Sequence, residues 1–148
     1  MVASNKDQRH PLSVVVTGEA QNWGPALERI VGPQLVRPLE ARGSQDVLRA
    51  VDSGLADAAV IDETPELGQD ALQLLRMIRR MNANLPVVVI TQRRDRIWLE
   101  QALRLSAFSV MAKPLELEAL LRQLARMMDR LDRMLRNGPP GRPPRRNR

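Results

Sequence analysis

Three side chains of different chemistry each lie at the end of a short apolar run: Asp62, Thr91 and Lys113. If the runs are parallel strands, their carboxyl ends meet at one edge of a sheet, which is where open α/β folds bind ligands. A carboxylate, a hydroxyl and an ammonium around one crevice suit phosphoryl transfer to the carboxylate. Asp62 would be the nucleophile, Thr91 would hydrogen-bond a phosphoryl oxygen, and Lys113 would neutralise its charge. Taken singly, each residue also fits an ordinary turn or cap.

Five apolar runs alternate with amphipathic segments from residue 11 onward, a rhythm typical of βα units. Strands are predicted at residues 14–16, 35–39, 58–61, 86–90 and 108–111. Parallel strands need crossover connections, and the amphipathic segments between the runs supply them. We therefore expect a parallel sheet covered by helices on both faces. Pro38 cannot donate to a sheet ladder, so the second strand is expected at an edge.

Helices are predicted at residues 23–31, 44–53, 95–105 and 115–136. A further helix is predicted after Asp70, where Leu72, Leu75, Ile78 and Met81 recur at helical spacing. Their expected N-caps include Asn22, Ser44 and Asp70, because short polar side chains accept hydrogen bonds from the free amides of a first turn. In the first helix, Ala26, Leu27 and Ile30 are expected to face inward.

The last helix carries an apolar stripe that is longer than one sheet face would cover. We expect its first three turns to pack on the sheet and its last two turns, with Leu131 and Met134, to project. Two interpretations remain open at this point. The helix folds back over its own domain, or the projecting seam pairs with a second copy of the chain.

The composition indicates one folded domain with polar ends. The 148 residues suffice for a single core. Residues 1–10 are predicted to be a flexible N-terminus, residues 11–136 the domain, and residues 137–148 a disordered tail rich in proline and arginine. With no cysteine and a single histidine, His10, disulfides, thiolate catalysis and His/Cys metal clusters are excluded.

The charge and hydropathy patterns limit the partners. Of the net charge of +6, the tail's four arginines supply +4. Four arginines would give only weak, salt-dependent contacts with phosphates, so nucleic-acid binding is not expected. The sequence has no apolar run long enough for a membrane span and no signal-peptide pattern at its start, which favours a cytoplasmic location.

Three segments resemble the receiver domains of two-component response regulators: residues 56–62, 87–91 and 106–114. The resemblance covers about residues 11–128 and implies a flavodoxin-like, CheY-like fold. In that family the Asp ending strand three accepts phosphate, the Thr or Ser ending strand four contacts it, and a Lys precedes a cis proline after strand five. Asp62, Thr91, Lys113 and Pro114 fall at these positions.

The chain departs from the family in two respects. Receivers ordinarily end strand one with a pair of acidic residues that hold magnesium, whereas this chain has Thr17 and Gly18. Glu19 could add one carboxylate to that of Asp62, which leaves the acidic pair incomplete and predicts weak magnesium binding at best. Val110 stands where the family usually has a switch aromatic.

The resemblance and its departures together favour a pseudo-receiver, which is not an enzyme, holds no resident cofactor and acts in bacterial two-component signalling by binding proteins. Its partner would be a histidine kinase or another signalling protein. The alternative is a response regulator phosphorylated on Asp62 by such a kinase. A further alternative is weak nucleic-acid binding through the tail. Trp98 on the fourth helix and Arg94 directly before it are candidate partner contacts, and the last helix is a candidate homodimer seam.

Overall fold

The parallel sheet is present in the computed structural model, which describes residues 11–18, 23–32 and 34–137. All strand pairs are parallel and the strand order is β2-β1-β3-β4-β5. The five strands are β1 (Leu12–Thr17), β2 (Val36–Ala41), β3 (Ala58–Asp62), β4 (Val87–Thr91) and β5 (Ser109–Ala112). The predicted five-stranded doubly wound sheet is confirmed.

Helices supply the crossovers between the strands. They are α1 (Gly24–Val31), α2 (Ser44–Asp52), α3 (Ala71–Met81), α4 (Arg96–Arg104) and α5 (Leu117–Asn137), with a short 3-10 turn at Pro65–Leu67. Side chains of α2, α3 and α4 form one core cluster with one face of the sheet. A second cluster joins the opposite face to α5. Every residue of β3 and β4 is buried, as expected for strands covered on both faces.

The edge position predicted from Pro38 is correct, because β2 pairs only with β1 among the described strands. Pro38 lies opposite Val14 in that pairing. A proline is tolerated there because an edge strand leaves part of its amide row unpaired in any case.

Two carboxylates cap helices, one of them at a predicted position. The Asp70 side chain accepts a hydrogen bond of 2.9 Å from the Leu72 amide at the start of α3, as predicted. Asp95 caps α4 in the same way. The prediction for Ser44 is wrong, because Gly43 is the N-cap of α2 and Ser44 is already helical. Asn22, the cap predicted for the first helix, lies outside the described residues.

The predicted inward face of α1 needs a correction at Ile30, which is 59% exposed. Helix α1 packs against β2, the edge strand, so the sheet ends there and cannot cover both sides of the helix. Ala26 is half-buried, and the side chain of Leu27 lies outside the described residues.

Helix α5 follows the sheet further than predicted. Leu120, Leu124 and Met127 are buried in the second core cluster, and Leu131 still packs against it. Because Leu131 contacts the domain, it is not part of a projecting seam, and folding back is the correct interpretation up to that residue. The side chain of Met134 lies outside the described residues, as do residues 1–10 and 138–148.

Candidate phosphoacceptor site

The predicted Asp62 and Lys113 form a buried ion pair. Asp62 ends β3 with only 1% of its surface exposed, and its Oδ1 lies 2.7 Å from Nζ of Lys113. Lys113 directly follows β5 and precedes Pro114 through a cis peptide bond, as predicted. The ammonium also donates to the backbone oxygen of Glu63 at 3.3 Å. This carboxylate is therefore neutralised from within the chain.

The residue at the end of β1 turns its side chain toward the backbone of β3. The Thr17 hydroxyl accepts from the Asp62 amide at 2.8 Å and donates to the Asp62 carbonyl at 3.3 Å. Thr17 is 99% buried. At a position that carries an acid in receivers, Thr17 therefore links two neighbouring strands through side-chain hydrogen bonds.

Gly18 lies directly over the Asp62 side chain. A Cβ built on Gly18 would lie 2.8 Å from both Cβ and Oδ2 of Asp62, closer than nonbonded atoms approach. The backbone of Gly18 also has a φ of +59°, in the left-handed region that favours glycine. Glycine thus permits a close approach that covers the carboxylate.

Thr91 is turned toward Glu63 in this structure. Its hydroxyl donates to Oε1 of Glu63 at 2.8 Å and accepts from the Arg93 amide at 3.0 Å. The hydroxyl that the sequence assigns to a phosphoryl oxygen is therefore already engaged. Sequence reasoning brought Asp62, Thr91 and Lys113 to one sheet edge correctly, but it did not identify their partners.

Glu63 is the site residue that sequence reasoning missed. Its Oε2 accepts from the Ala71 amide at 3.0 Å, and its Oε1 lies 3.4 Å from Nε of Arg93. The available signal was the pair of consecutive acids at the end of β3, together with an arginine two residues beyond Thr91.

A second carboxylate extends this network to α4. Asp70 accepts from the Trp98 indole at 3.3 Å, and Arg93 lies 5.6 Å from the centre of the Trp98 ring. Burial acts to raise the pKa of Asp70, but the hydrogen bonds from Leu72 and Trp98 and the charge of Arg93 outweigh it and hold that pKa below its ordinary value.

Trp98 is only 5% exposed, which corrects the expectation that it could anchor a partner. Its ring packs in the core cluster beneath α4, and its indole N–H donates to Asp70. Arg94 is exposed and donates to the Lys113 carbonyl at 3.3 Å. Val110, at the switch position, is half-buried against the same cluster.

The described residues do not fit a magnesium site. No group of three or more acidic, histidine or cysteine side chains converges among them. Asp62 is paired with Lys113, and Glu63 is bound by Thr91 and Ala71, so neither offers a free set of oxygens. Magnesium prefers carboxylates and waters in octahedral array. Glu19, the second predicted metal ligand, lies outside the described residues.

The structure is a doubly wound α/β domain with a carboxylate, an ammonium and a hydroxyl at the carboxyl ends of its strands. Several solved structures of receivers are similar to this chain. A CheY-like receiver domain protein from Methanospirillum hungatei matches with a TM-score of 0.70 and 12% identity over 83% of this chain and 98% of that chain. The non-phosphorylated HemR receiver domain from Leptospira biflexa matches at 0.66 and 19%, over 79% and 94%.

A response regulator from Thermotoga maritima gives a TM-score of 0.64 and 19% identity over 80% of this chain and 98% of that chain. No family model matches the sequence, and no curated protein matches it either. At these identities the likeness establishes the fold. The chain has the fold of CheY-like response-regulator receiver domains. None of the helices in the described part of the chain is both long and apolar enough to cross a membrane.

Proposed function

We propose that this chain is a pseudo-receiver, a signalling module of the bacterial two-component type that binds a protein partner and does not use Asp62 as a phosphoacceptor. One observation carries the proposal. The Asp62 carboxylate is buried, paired with Lys113 and covered by the backbone of Gly18.

The chemical reason is the lack of stabilisation for a transferred phosphoryl group. In-line attack needs an accessible carboxylate oxygen and positive charge around the equatorial oxygens. Lys113 contributes one positive charge beside Asp62, but Thr91 already donates to Glu63, and the described residues offer no magnesium ligand set. Electrostatic stabilisation of the transition state supplies most of the rate acceleration in such reactions, so losing it removes most of the activity.

The test is an amide NMR titration of the full chain with magnesium and then beryllofluoride, a phosphoryl analogue. We expect no saturable shift at Asp62, Thr91 or Lys113. The Asp62→Asn variant is the matched control, since it removes the acceptor with little change of shape. Saturable shifts in the wild type that disappear in this variant would overturn the proposal.

The alternative function is phosphorylation of Asp62 by a histidine kinase. It is supported by Asp62, Thr91, Lys113 and the cis Pro114, which occupy the positions of the receiver resemblance. Incubation with acetyl phosphate and magnesium, followed by intact-mass measurement, tests it directly. A phosphorylated species in the wild type, absent from Asp62→Asn, would establish this alternative.

For the protein partner we propose the exposed face of α4. Ile97 is 69% exposed, and Leu103, Arg96 and Arg104 are exposed beside it. Exposed apolar side chains interspersed with arginines suit an acidic partner surface. Binding to a panel of histidine kinases should weaken in Ile97→Asp and persist in Asp62→Asn. Loss of binding in Asp62→Asn alone would contradict the interaction role.

A further inference from the structure

We propose that Glu63 is a built-in anion that holds Thr91 and Arg93 in one conformation, so that the segment joining β4 to α4 is set without modification of Asp62. The inference rests on the proposed function in one respect, since it takes Asp62 to be unmodified.

The Glu63 carboxylate meets three donors, which come from two separate parts of the chain. Oε1 receives the Thr91 hydroxyl at 2.8 Å and faces Nε of Arg93 at 3.4 Å. Oε2 receives the Ala71 amide at 3.0 Å. The side chain is only 15% exposed, so these contacts are weakly screened by solvent. Hydrogen bonds to an ionised acceptor are about twice as strong as neutral ones.

These contacts join the two loops that follow β3 and β4. Glu63 begins the connection from β3 to α3, and Thr91 and Arg93 begin the connection from β4 to α4. The Thr91 hydroxyl also restrains the backbone of Arg93, because it accepts from the Arg93 amide. Arg93 in turn lies over Trp98 and 3.9 Å from Asp70.

The Thr91 hydroxyl is oriented toward Glu63. A hydroxyl has one proton to donate, and that proton is given to Glu63. An anion at Asp62 would have to compete with an adjacent carboxylate that is already in place. The loop before α4 therefore has one conformation, stabilised from within, where a switch would need two.

The test compares Glu63→Ala and Glu63→Gln with Glu66→Ala in the full chain. Glu66 is exposed on the same loop and serves as the matched control. The readout is hydrogen exchange at the Arg93 amide by NMR. Removing a hydrogen bond to a charged group should speed exchange at Arg93 roughly tenfold in Glu63→Ala. Glu63→Gln keeps an acceptor without its charge and should fall between Glu63→Ala and the wild type.

A second comparison separates this restraint from a general loss of stability. In a Thr91→Val background, the change from Glu63 to Ala should no longer speed exchange at Arg93, because the connecting hydroxyl is gone. Core amides such as those of Val60 and Val88 should be unaffected. Unchanged exchange at Arg93 in Glu63→Ala, or equal acceleration with and without Thr91, would overturn the inference.

The two proposals can fail separately. The pseudo-receiver function fails if beryllofluoride shifts the wild-type spectrum. The Glu63 inference fails if exchange at Arg93 does not depend on Glu63 when no phosphoryl analogue is present.

Discussion

The Thr17 hydroxyl and the backbone of Asp62 form a reciprocal pair of hydrogen bonds across the β1–β3 boundary. The hydroxyl accepts from the Asp62 amide and donates to the Asp62 carbonyl, at a point where both residues are buried. Two polar backbone groups at the end of a strand are thereby satisfied by one side chain. Thr17 thus fixes the end of β3 from which Asp62 projects.

Replacing Thr17 with Val should destabilise the protein by about 1–3 kcal/mol, because the shape is kept while buried polar groups lose their partner. Urea unfolding measures the change. Thr17→Ser keeps the hydroxyl and should recover most of the stability. If Thr17→Val and Thr17→Ser unfold at the same urea concentration, the hydrogen bonds do not contribute as stated.

Gly18→Ala should destabilise the protein more than Gly54→Ala. Both glycines have positive φ, so both substitutions carry a backbone strain of about 1–2 kcal/mol. A Cβ at Gly54 meets nothing within 4 Å, whereas one at Gly18 meets the Asp62 side chain at 2.8 Å. The difference in unfolding free energy between the two variants isolates that contact. Equal values would show that the Asp62 side chain moves away from the added Cβ at little cost in free energy.

The sequence predicts the sheet because its signals are local. Continuous β-branched runs mark strands buried on both faces, and Pro38 marks an edge whatever the rest of the chain does. The predicted positions of Asp62, Thr91 and Lys113 are correct because parallel strands bring their carboxyl ends to the same edge of the sheet. These predictions depend only on the hydrophobic period of each segment and on the order of the strands and helices along the chain.

The sequence does not predict which partner each polar side chain binds. Glu63 follows Asp62 directly, and this pair of acids does not show that the contacts of Glu63 come from residues 8 and 28 positions away. The exposure of Ile30 was missed for a related reason, because helical spacing does not show that α1 lies at the margin of the sheet. Burial of Trp98 likewise depends on packing with other elements.

Asp62→Ala should destabilise the fold by about 3 kcal/mol, because it leaves the largely buried Lys113 without its anionic partner. The double variant Asp62→Ala with Lys113→Met should recover part of that loss, since no unpaired charge remains. Thermal and urea unfolding of the wild type, both single variants and the double variant give the coupling. Strictly additive effects would show that the two residues do not interact.

Arg79 should be a strong determinant of stability at the end of the sheet opposite to the site. Its guanidinium donates to the carbonyls of Leu85 and Leu105, both at 2.7 Å, and to that of Ser106 at 3.0 Å. Burial lowers the pKa of Arg79, and the charge of Arg130 adds to this effect.

The substitution Arg79→Lys should destabilise the protein by about 2 kcal/mol, because one ammonium cannot reach the carbonyls that a planar fork serves. Arg80, exposed on the next position of α3, provides the control, and Arg80→Lys should be nearly neutral. Denaturant midpoints compare them. A similar midpoint for the two variants would mean that the Arg79 contacts are dispensable.

Asp70 should give the protein a stability that is lost in acid. The pKa of Asp70 in the folded state is held below its ordinary value of 3.8, so its contribution is complete above that value and declines as the pH falls through the lowered folded pKa. The Asp70→Asn variant keeps an oxygen that can cap α3 but carries no titrating group. Unfolding free energies of both proteins, measured between pH 7 and pH 2, should differ most at neutral pH and converge as the wild type loses its charge. A constant difference across that range would show that the ionised form of Asp70 is not what stabilises the junction of α3 and α4.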